Sequence, residues 1–313
     1  MRARLGSRSP RRVTEIALVG CGRWGRFILR DLRALGCRVT VVARSRASVE
    51  RAQAGGAARI VADIGAIGPV DGAVVATPTS THAAAIDALL PLGLPMFCEK
   101  PLCPDPREAR RLADAAAGRL FVMDKWRYHH GIEALAGIAR GGELGAVRAL
   151  VSVREQWGSP HRDVDSLWIH LPHDLAITLE VLGTLPPVRD ARAEVVDGAA
   201  VGLHGTLGGD PWVLVTHSTV APTTRRIVRL VCEEGAATLA DGYDESLLIS
   251  RGTPDREGPT EQRPIDAEWP LLRELRAFVE HVHGGPPPRT RAAEHVVILE
   301  RLAELRSRAG LPA

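Results

Sequence analysis

Lysine is almost missing from this chain of 313 residues. Of its 40 basic residues only Lys100 and Lys125 are lysines, and the other 38 are arginines. A GC-rich coding sequence accounts for the bias, and arginine evidently serves at the surface. The two lysines are therefore candidate positions where arginine does not serve, because only lysine readily gives up its proton when desolvated. Cysteine is sparse too. There are five, an odd number without paired CxxC spacing, which argues for a reducing, cytoplasmic setting. No apolar run reaches about 18 residues, so nothing is expected to span a membrane. Residues 1–12 (MRARLGSRSPRR) are basic but carry no apolar segment, which reads as a disordered tail and not as a secretory signal. Beyond them no block of like charge stands out, and the net charge is only +3. Nucleic-acid binding, which needs a concentrated basic face, is not implied.

What is present is a globular composition. Hydrophobic residues make up 45% against 25% charged, ample for a core and against disorder as the main state. At roughly 150 residues per domain the length gives two domains. The first, residues 13–126, alternates strands and helices. An apolar run at 13–19 leads into Gly20-Cys21-Gly22-Arg23-Trp24-Gly25, a helix-like stretch and a second apolar strand at 38–43. Further strands follow at 60–62, 72–77, 95–98 and 120–123, with Thr79 or Ser80 expected to cap one helix and Asp105-Pro106 to open another. Strands that are apolar throughout predict a parallel sheet covered on both faces. In the second domain, residues 127–313, a helix at 132–139 precedes a long alternating strand at 146–157 and a helix at about 170–182. About five strand-like segments follow between 188 and 250, which reads as an antiparallel sheet. Residues 251–268 read as a polar loop, and two amphipathic helices close the chain near 271–283 and 292–308. The fold class is α/β: an N-terminal dinucleotide-binding domain of the Rossmann type and a C-terminal α+β domain with a largely antiparallel open sheet.

A G-x-G-x-x-G turn between a strand and a helix is the context dinucleotide binding requires. Its glycines, Gly20, Gly22 and Gly25, let the backbone approach a pyrophosphate at a helix N-terminus, with Arg23 and Trp24 beside it. At the end of the second strand an acid would bind the ribose 2′-hydroxyl of NAD, whereas arginine accommodates a 2′-phosphate. The chain has Arg44-Ser45-Arg46 there and no acid, which points to NADP(H); the plainer reading is a solvated loop.

Four further features sit in order. They are VGCGRWG at 19–25, ATPTSTH at 76–82, CEKPL at 98–102 and LPHDLAITLEVLG at 171–183. Together they resemble the glucose–fructose oxidoreductase / inositol dehydrogenase / MocA family. YHHGIEALAGIARGGELGAVRAL at 128–150 looks like the family's interdomain helix and first long strand, particularly among sugar and nucleotide-sugar members. The resemblance covers about residues 13–240. It implies reversible hydride transfer between a nicotinamide and a sugar, nucleotide sugar or cyclitol, and a sheet whose open face makes contacts in a homodimer or homotetramer. It implies Lys100 as the catalytic lysine and His173 as the active-site histidine. It places Thr77, Pro78, Thr79 and His82 around the nicotinamide ribose and Glu99 at the cofactor's edge. One departure stands out: many members carry an aspartate four residues before the histidine, and this chain has Ile169.

Chemically, a carbonyl becoming an alcohol needs a proton donor within about 3 Å of its oxygen. A desolvated lysine at Lys100 supplies one, and His173 titrates near neutrality, so it can share the proton. Lys125, Tyr128, Arg154, Trp157, Arg162 and His170 are candidate substrate contacts, set against the plainer reading of strand-end arginines and core packing. No third ligand accompanies His170 and His173 at recognisable spacing, so no metal is expected. Reduction of an imine is the alternative chemistry, made more credible by Ile169. A non-catalytic NADP-binding regulator is the alternative from another class, disfavoured by the presence of both Lys100 and His173.

Overall fold

The computed structural model describes residues 12–159 and 163–312. Most of the tail thus lies outside the described residues, and so do His161 and Arg162; Arg12 pairs with Asp71 at 2.9 Å.

The first half follows the expected alternation. β1 (Glu15–Val19), α1 (Gly25–Ala34), β2 (Arg38–Val42), α2 (Arg46–Ala54), β3 (Arg59–Val61) and β4 (Gly72–Val75) come first. α3 (His82–Leu89), β5 (Met96–Glu99), α4 (Pro106–Ala115) and β6 (Leu120–Met123) complete it. Every strand pair is parallel and the order is β3-β2-β1-β4-β5-β6. The order reverses between β1 and β4, and the crevice beyond the carboxyl ends of the strands there is where such sheets bind ligands. Asp105 caps α4, its carboxylate accepting the Arg107 amide at 2.8 Å, with Pro106 in the first turn. The expected cap by Thr79 or Ser80 does not form, because Thr79–Thr81 make a tight 3₁₀ turn ahead of α3 and Thr79 is buried.

The second sheet is larger. α5 (His130–Gly141), β7 (Val147–Trp157) and α6 (Ser166–Leu182) are followed by β8 (Val188–Val196), β9 (Ala199–Gly208) and β10 (Trp212–Ser218). Then come β11 (Val220–Cys232), β12 (Gly235–Leu239), β13 (Ser246–Thr253) and β14 (Arg256–Pro264). The order is β14-β13-β12-β11-β7-β10-β9-β8, antiparallel except for the parallel pair β7/β10. Two expectations are corrected here. Six strands, not five, lie between 188 and 253, and the polar stretch after 250 contains β14 instead of being loop throughout. β14 is an edge strand paired only with β13, and an edge tolerates its prolines and polar side chains. α6 is fixed at both ends: the Asp165 carboxylate accepts the amides of Leu167 and Trp168 at 3.0 and 3.3 Å, and Gly183 stops it at φ +71°.

The last helices, α7 (Pro270–Val282) and α8 (Ala292–Arg308), return to the first sheet. Leu271, Leu275 and Phe278 of α7 join the core of Ile16, Leu18 and Phe121, and α8 packs on α4 as well as on β8. A single cut at residue 126 therefore does not separate the packing units. Phe278 stacks on Phe97 with ring centroids 5.1 Å apart. Removing a buried ring of this kind costs about 3–5 kcal/mol. Phe278→Ala should lower the urea midpoint accordingly, and an unchanged midpoint would show that α7 does not stabilise the first sheet.

Candidate active site

The carboxyl ends of β4, β5 and β6 open onto a cleft of about 260 Å³, closed on the other side by β7 and α6. Each strand end delivers a polar segment directly after an apolar one. β4 delivers Thr77, Pro78 and Thr79, β5 delivers Glu99 and Lys100, and β6 delivers Lys125, with Asp124 fully buried beside it. From the second sheet come Arg154 and Gln156 of β7 and His170 and His173 of α6. Both lysines of the chain thus line one cleft.

The Lys100 ammonium donates to the Ile169 carbonyl at 2.8 Å, so one of its three protons crosses to α6. Burial lowers its pKa to about 8, against the opposing pull of Glu99 and Asp124. The loop carrying it is pinned twice. The His82 ring lies between the Pro101 and Thr77 carbonyls, 2.9 Å from each, and burial keeps it neutral, so it donates to one of them. The Leu102 amide donates to His295 of α8 at 3.3 Å, a ring that burial pushes down to about 3 and so keeps as an acceptor. His82 therefore lines the cleft chiefly as the tie between two of its loops.

His173 is buried, and burial followed by the Lys100 charge holds it well below its usual range. Its Nδ1 is 3.4 Å from Asp124 Oδ1. Asp124 is fully buried, and burial pushes its pKa up to about 7 against Lys100 and Arg127. Arg154 is paired with Asp174, Nε to Oδ2 at 2.9 Å, and lies 5.0 Å over the Trp126 ring. The Lys125 ammonium sits 5.0 Å from the centre of the Trp24 ring, and burial lowers its pKa. Burial raises Glu99, whose neighbours Lys100 and the Trp24 side chain counter it.

Glu274, Trp126, Arg226 and Tyr243 line the cleft and are absent from the sequence reading of the site, as is Asp124, buried beside His173. Glu274 of α7 lines the cleft, is buried, and is pushed well up by burial and by Glu99. It belongs to the stripe 271, 274, 275, 278, the spacing of a buried helix face, which was the available signal. For Asp124 the signal was its place at the carboxyl end of a parallel strand.

Two expectations, Tyr128 and Trp157, are corrected. Tyr128 does not line the cleft: its hydroxyl accepts the Arg289 amide at 2.8 Å, inside an ion-pair cluster in which Arg127 meets Glu180 and Glu294. Trp157 is 74% exposed at the far end of β7. At the end of β2, Ser45 caps α2 through the Ser48 amide and Arg46 pairs with Glu50 at 2.8 Å on the outer face. Arg44 donates to the Ala62 carbonyl at 3.2 Å. Arg23 is exposed at the glycine turn. Among the described residues no group of three His, Cys, Asp or Glu is placed to hold a metal, and no helix is long and apolar enough to cross a membrane.

The glycine turn fits a dinucleotide. Gly20 has φ +95°, and a Cβ there would stand 2.7 Å from the Ala76 carbonyl; one on Gly25 would stand 2.5 Å from the Gly20 carbonyl; one on Gly22 would meet nothing within 4 Å. Two glycines thus pack the turn and the third leaves open space at the start of α1. Thr77 Oγ1, on the cleft wall, is buried without a hydrogen-bond partner among the described residues.

A family model described as an oxidoreductase family with an NAD-binding Rossmann fold matches residues 14–122. Myo-inositol dehydrogenase Hyg17 of Streptomyces leeuwenhoekii is 32% identical over 155 residues, 47% of this chain and 48% of that protein. Inositol 2-dehydrogenase 2 of Mycolicibacterium vanbaalenii is 30% identical over 258 residues, 75% of this chain and 74% of that protein. Among solved structures, UDP-N-acetylglucosamine 3-dehydrogenase of Acidithiobacillus ferrooxidans superposes with a TM-score of 0.81 at 24% identity, covering 94% of this chain and 97% of that one.

A residue with a Cβ forced into positive φ costs on the order of 1–3 kcal/mol. Gly20→Ala should lower thermal stability by that amount, whereas Gly22→Ala should leave the melting temperature unchanged. Equal effects of the two would contradict the division of roles in the turn.

Proposed function

Because the chain belongs to the glucose–fructose oxidoreductase / inositol dehydrogenase / MocA family of oxidoreductases, we propose that it is an NADP(H)-dependent enzyme acting on a sugar-like substrate. Hydride moves between the nicotinamide and a carbonyl/alcohol carbon of a sugar, nucleotide sugar or cyclitol. The observation that carries this reading is Lys100: one of two lysines, half-buried at the cleft, where desolvation lowers its pKa to about 8. The open space at Gly22 and the unpartnered Thr77 hydroxyl would receive the dinucleotide. The cofactor supplies the hydride chemistry when bound.

The chain's own residues bind, orient and move a proton. Lys100 gives a proton from Nζ to the substrate oxygen in reduction and takes it back in oxidation. His173, neutral, orients the substrate hydroxyl or carbonyl. His170, Lys125 and Arg154 line the same space, and Arg154, already paired with Asp174, contributes a fixed positive field. At the end of β2 no acid is present to receive a ribose 2′-hydroxyl, and Arg44, which donates only to the Ala62 carbonyl whereas Arg46 pairs with Glu50, is the arginine we assign to a 2′-phosphate. The larger sheet supports a homodimer or homotetramer: α5, α6 and α8 cover one face, while the half-buried Val151, Val153, Leu214 and Ile227 alternate towards the other.

Fluorescence titration should give at least about tenfold tighter binding of NADPH than of NADH, about 1.4 kcal/mol. Arg44→Ala should remove that preference and Arg46→Ala should not. Preferred NADH binding would overturn the cofactor assignment. With a panel of keto-sugars and imines, Lys100→Ala should lower the turnover rate by about 10²–10⁴, the contribution of general acid catalysis. The wild-type reduction rate should fall as pH rises through about 8, because the donor loses its proton; oxidation should gain over the same range. Turnover of imines alone would move the assignment to C=N reduction. In sedimentation, Ile227→Asp should shift the species towards monomer, and an unchanged sedimentation coefficient would exclude this face as the contact.

A further inference from the structure

We propose that Asp124, at the carboxyl end of β6, is the carboxylate that pairs with His173 in this chain and whose charge acts on Lys100 across the site. The inference rests on the reading of Lys100 as proton donor.

Position 169 is one helical turn before His173, where a side chain shares the histidine's face. Here it is isoleucine, and only its backbone serves the site, through the carbonyl that takes the Lys100 ammonium at 2.8 Å. Asp124 is fully buried. Its Oδ1 lies 3.4 Å from His173 Nδ1, and its Oδ2 has no hydrogen-bond partner among the described residues. A buried carboxylate with a bare oxygen stays ionised only where positive charge lies near. The charges of Lys100, Arg127 and Arg154 act on it, none of them in a direct ion pair. Arg127 is committed to Glu180 and Glu294, and Arg154 to Asp174. Lys100 has no such dedicated carboxylate. Its neighbour Glu99 accepts Lys100's own backbone amide at 3.2 Å and the Trp24 side chain. The remaining charged groups at the cleft are Lys125 beside Asp124, Glu274 of α7 and Arg226 of β11, which also acts on Lys125.

Two consequences follow for the proton. An ionised Asp124 keeps the Lys100 ammonium protonated to higher pH than burial alone allows. It also selects the His173 tautomer with the proton on Nδ1, which leaves Nε2 as an acceptor. Asp124 is thus a positioning residue, acting through Lys100 and His173.

The scarcity of lysine makes the test direct. Full-length protein labelled with ¹³C,¹⁵N-lysine gives two side-chain signals, assigned with Lys125→Arg, and their shifts are followed against pH by NMR. Asp124→Asn should lower the Lys100 midpoint by at least about one pH unit, a tenfold loss of proton affinity, and move Lys125 less. Asp124→Glu should recover most of the loss. A folded Asp124→Asn protein with an unmoved Lys100 midpoint overturns the proposal. If Asp124→Asn does not fold, ¹⁵N-histidine spectra of the wild type decide: a proton on His173 Nδ1 supports the proposal, and one on Nε2 overturns it. Neither readout needs turnover. A failed substrate panel would count against the hydride-transfer reading and leave this result standing, and the converse holds.

Discussion

An ammonium group largely withdrawn from water has to be held by something, and much of this molecule is arranged around that requirement at Lys100. Its charge is met by a backbone carbonyl of the other sheet's principal helix, so the contact that satisfies the lysine also joins β5 to α6. The loop that carries it has no freedom to drift, because His82 ties it to the loop after β4 and His295 ties it to α8. Both histidines are kept neutral by burial, which suits them to bond backbone groups without adding charge beside the lysine.

The buried arginines follow one rule: each is matched by a carboxylate. Arg154 arrives with Asp174, which is itself held by Ser152 at 2.6 Å. Arg127 arrives with Glu180 and Glu294. These pairs cost desolvation and add little net stability, but they set an electrostatic background against which Lys100, Asp124 and Glu274 can lie near their own neutral forms. A group poised between two protonation states moves a proton with little driving force, which is the condition for acid–base work at neutral pH.

How much of this was legible in the sequence varied with physics, not with position. The parallel sheet could be read because strands buried on both faces are apolar throughout and the glycine turn marks their first crossing. Lys100 and His173 could be read because a motif surrounds each. β14 was hidden, since an edge strand facing solvent carries no apolar alternation. Tyr128 and Trp157 were placed in the site on proximity alone, and the direction in which a side chain leaves a turn or a strand end depends on packing partners far away in the chain. Asp124 looked like any acid after a strand; only the fold shows that it is buried and that His173 stands opposite.

The distribution of the two lysines has a chemical corollary. Among the described residues every side-chain amine lies in the cleft, and the remaining basic side chains are guanidinium groups, which do not condense with simple carbonyl compounds to form stable imines as amines do. Aldehydes glycate proteins chiefly at side-chain amines. Outside the cleft this surface offers none among the described residues for an aldehyde to capture.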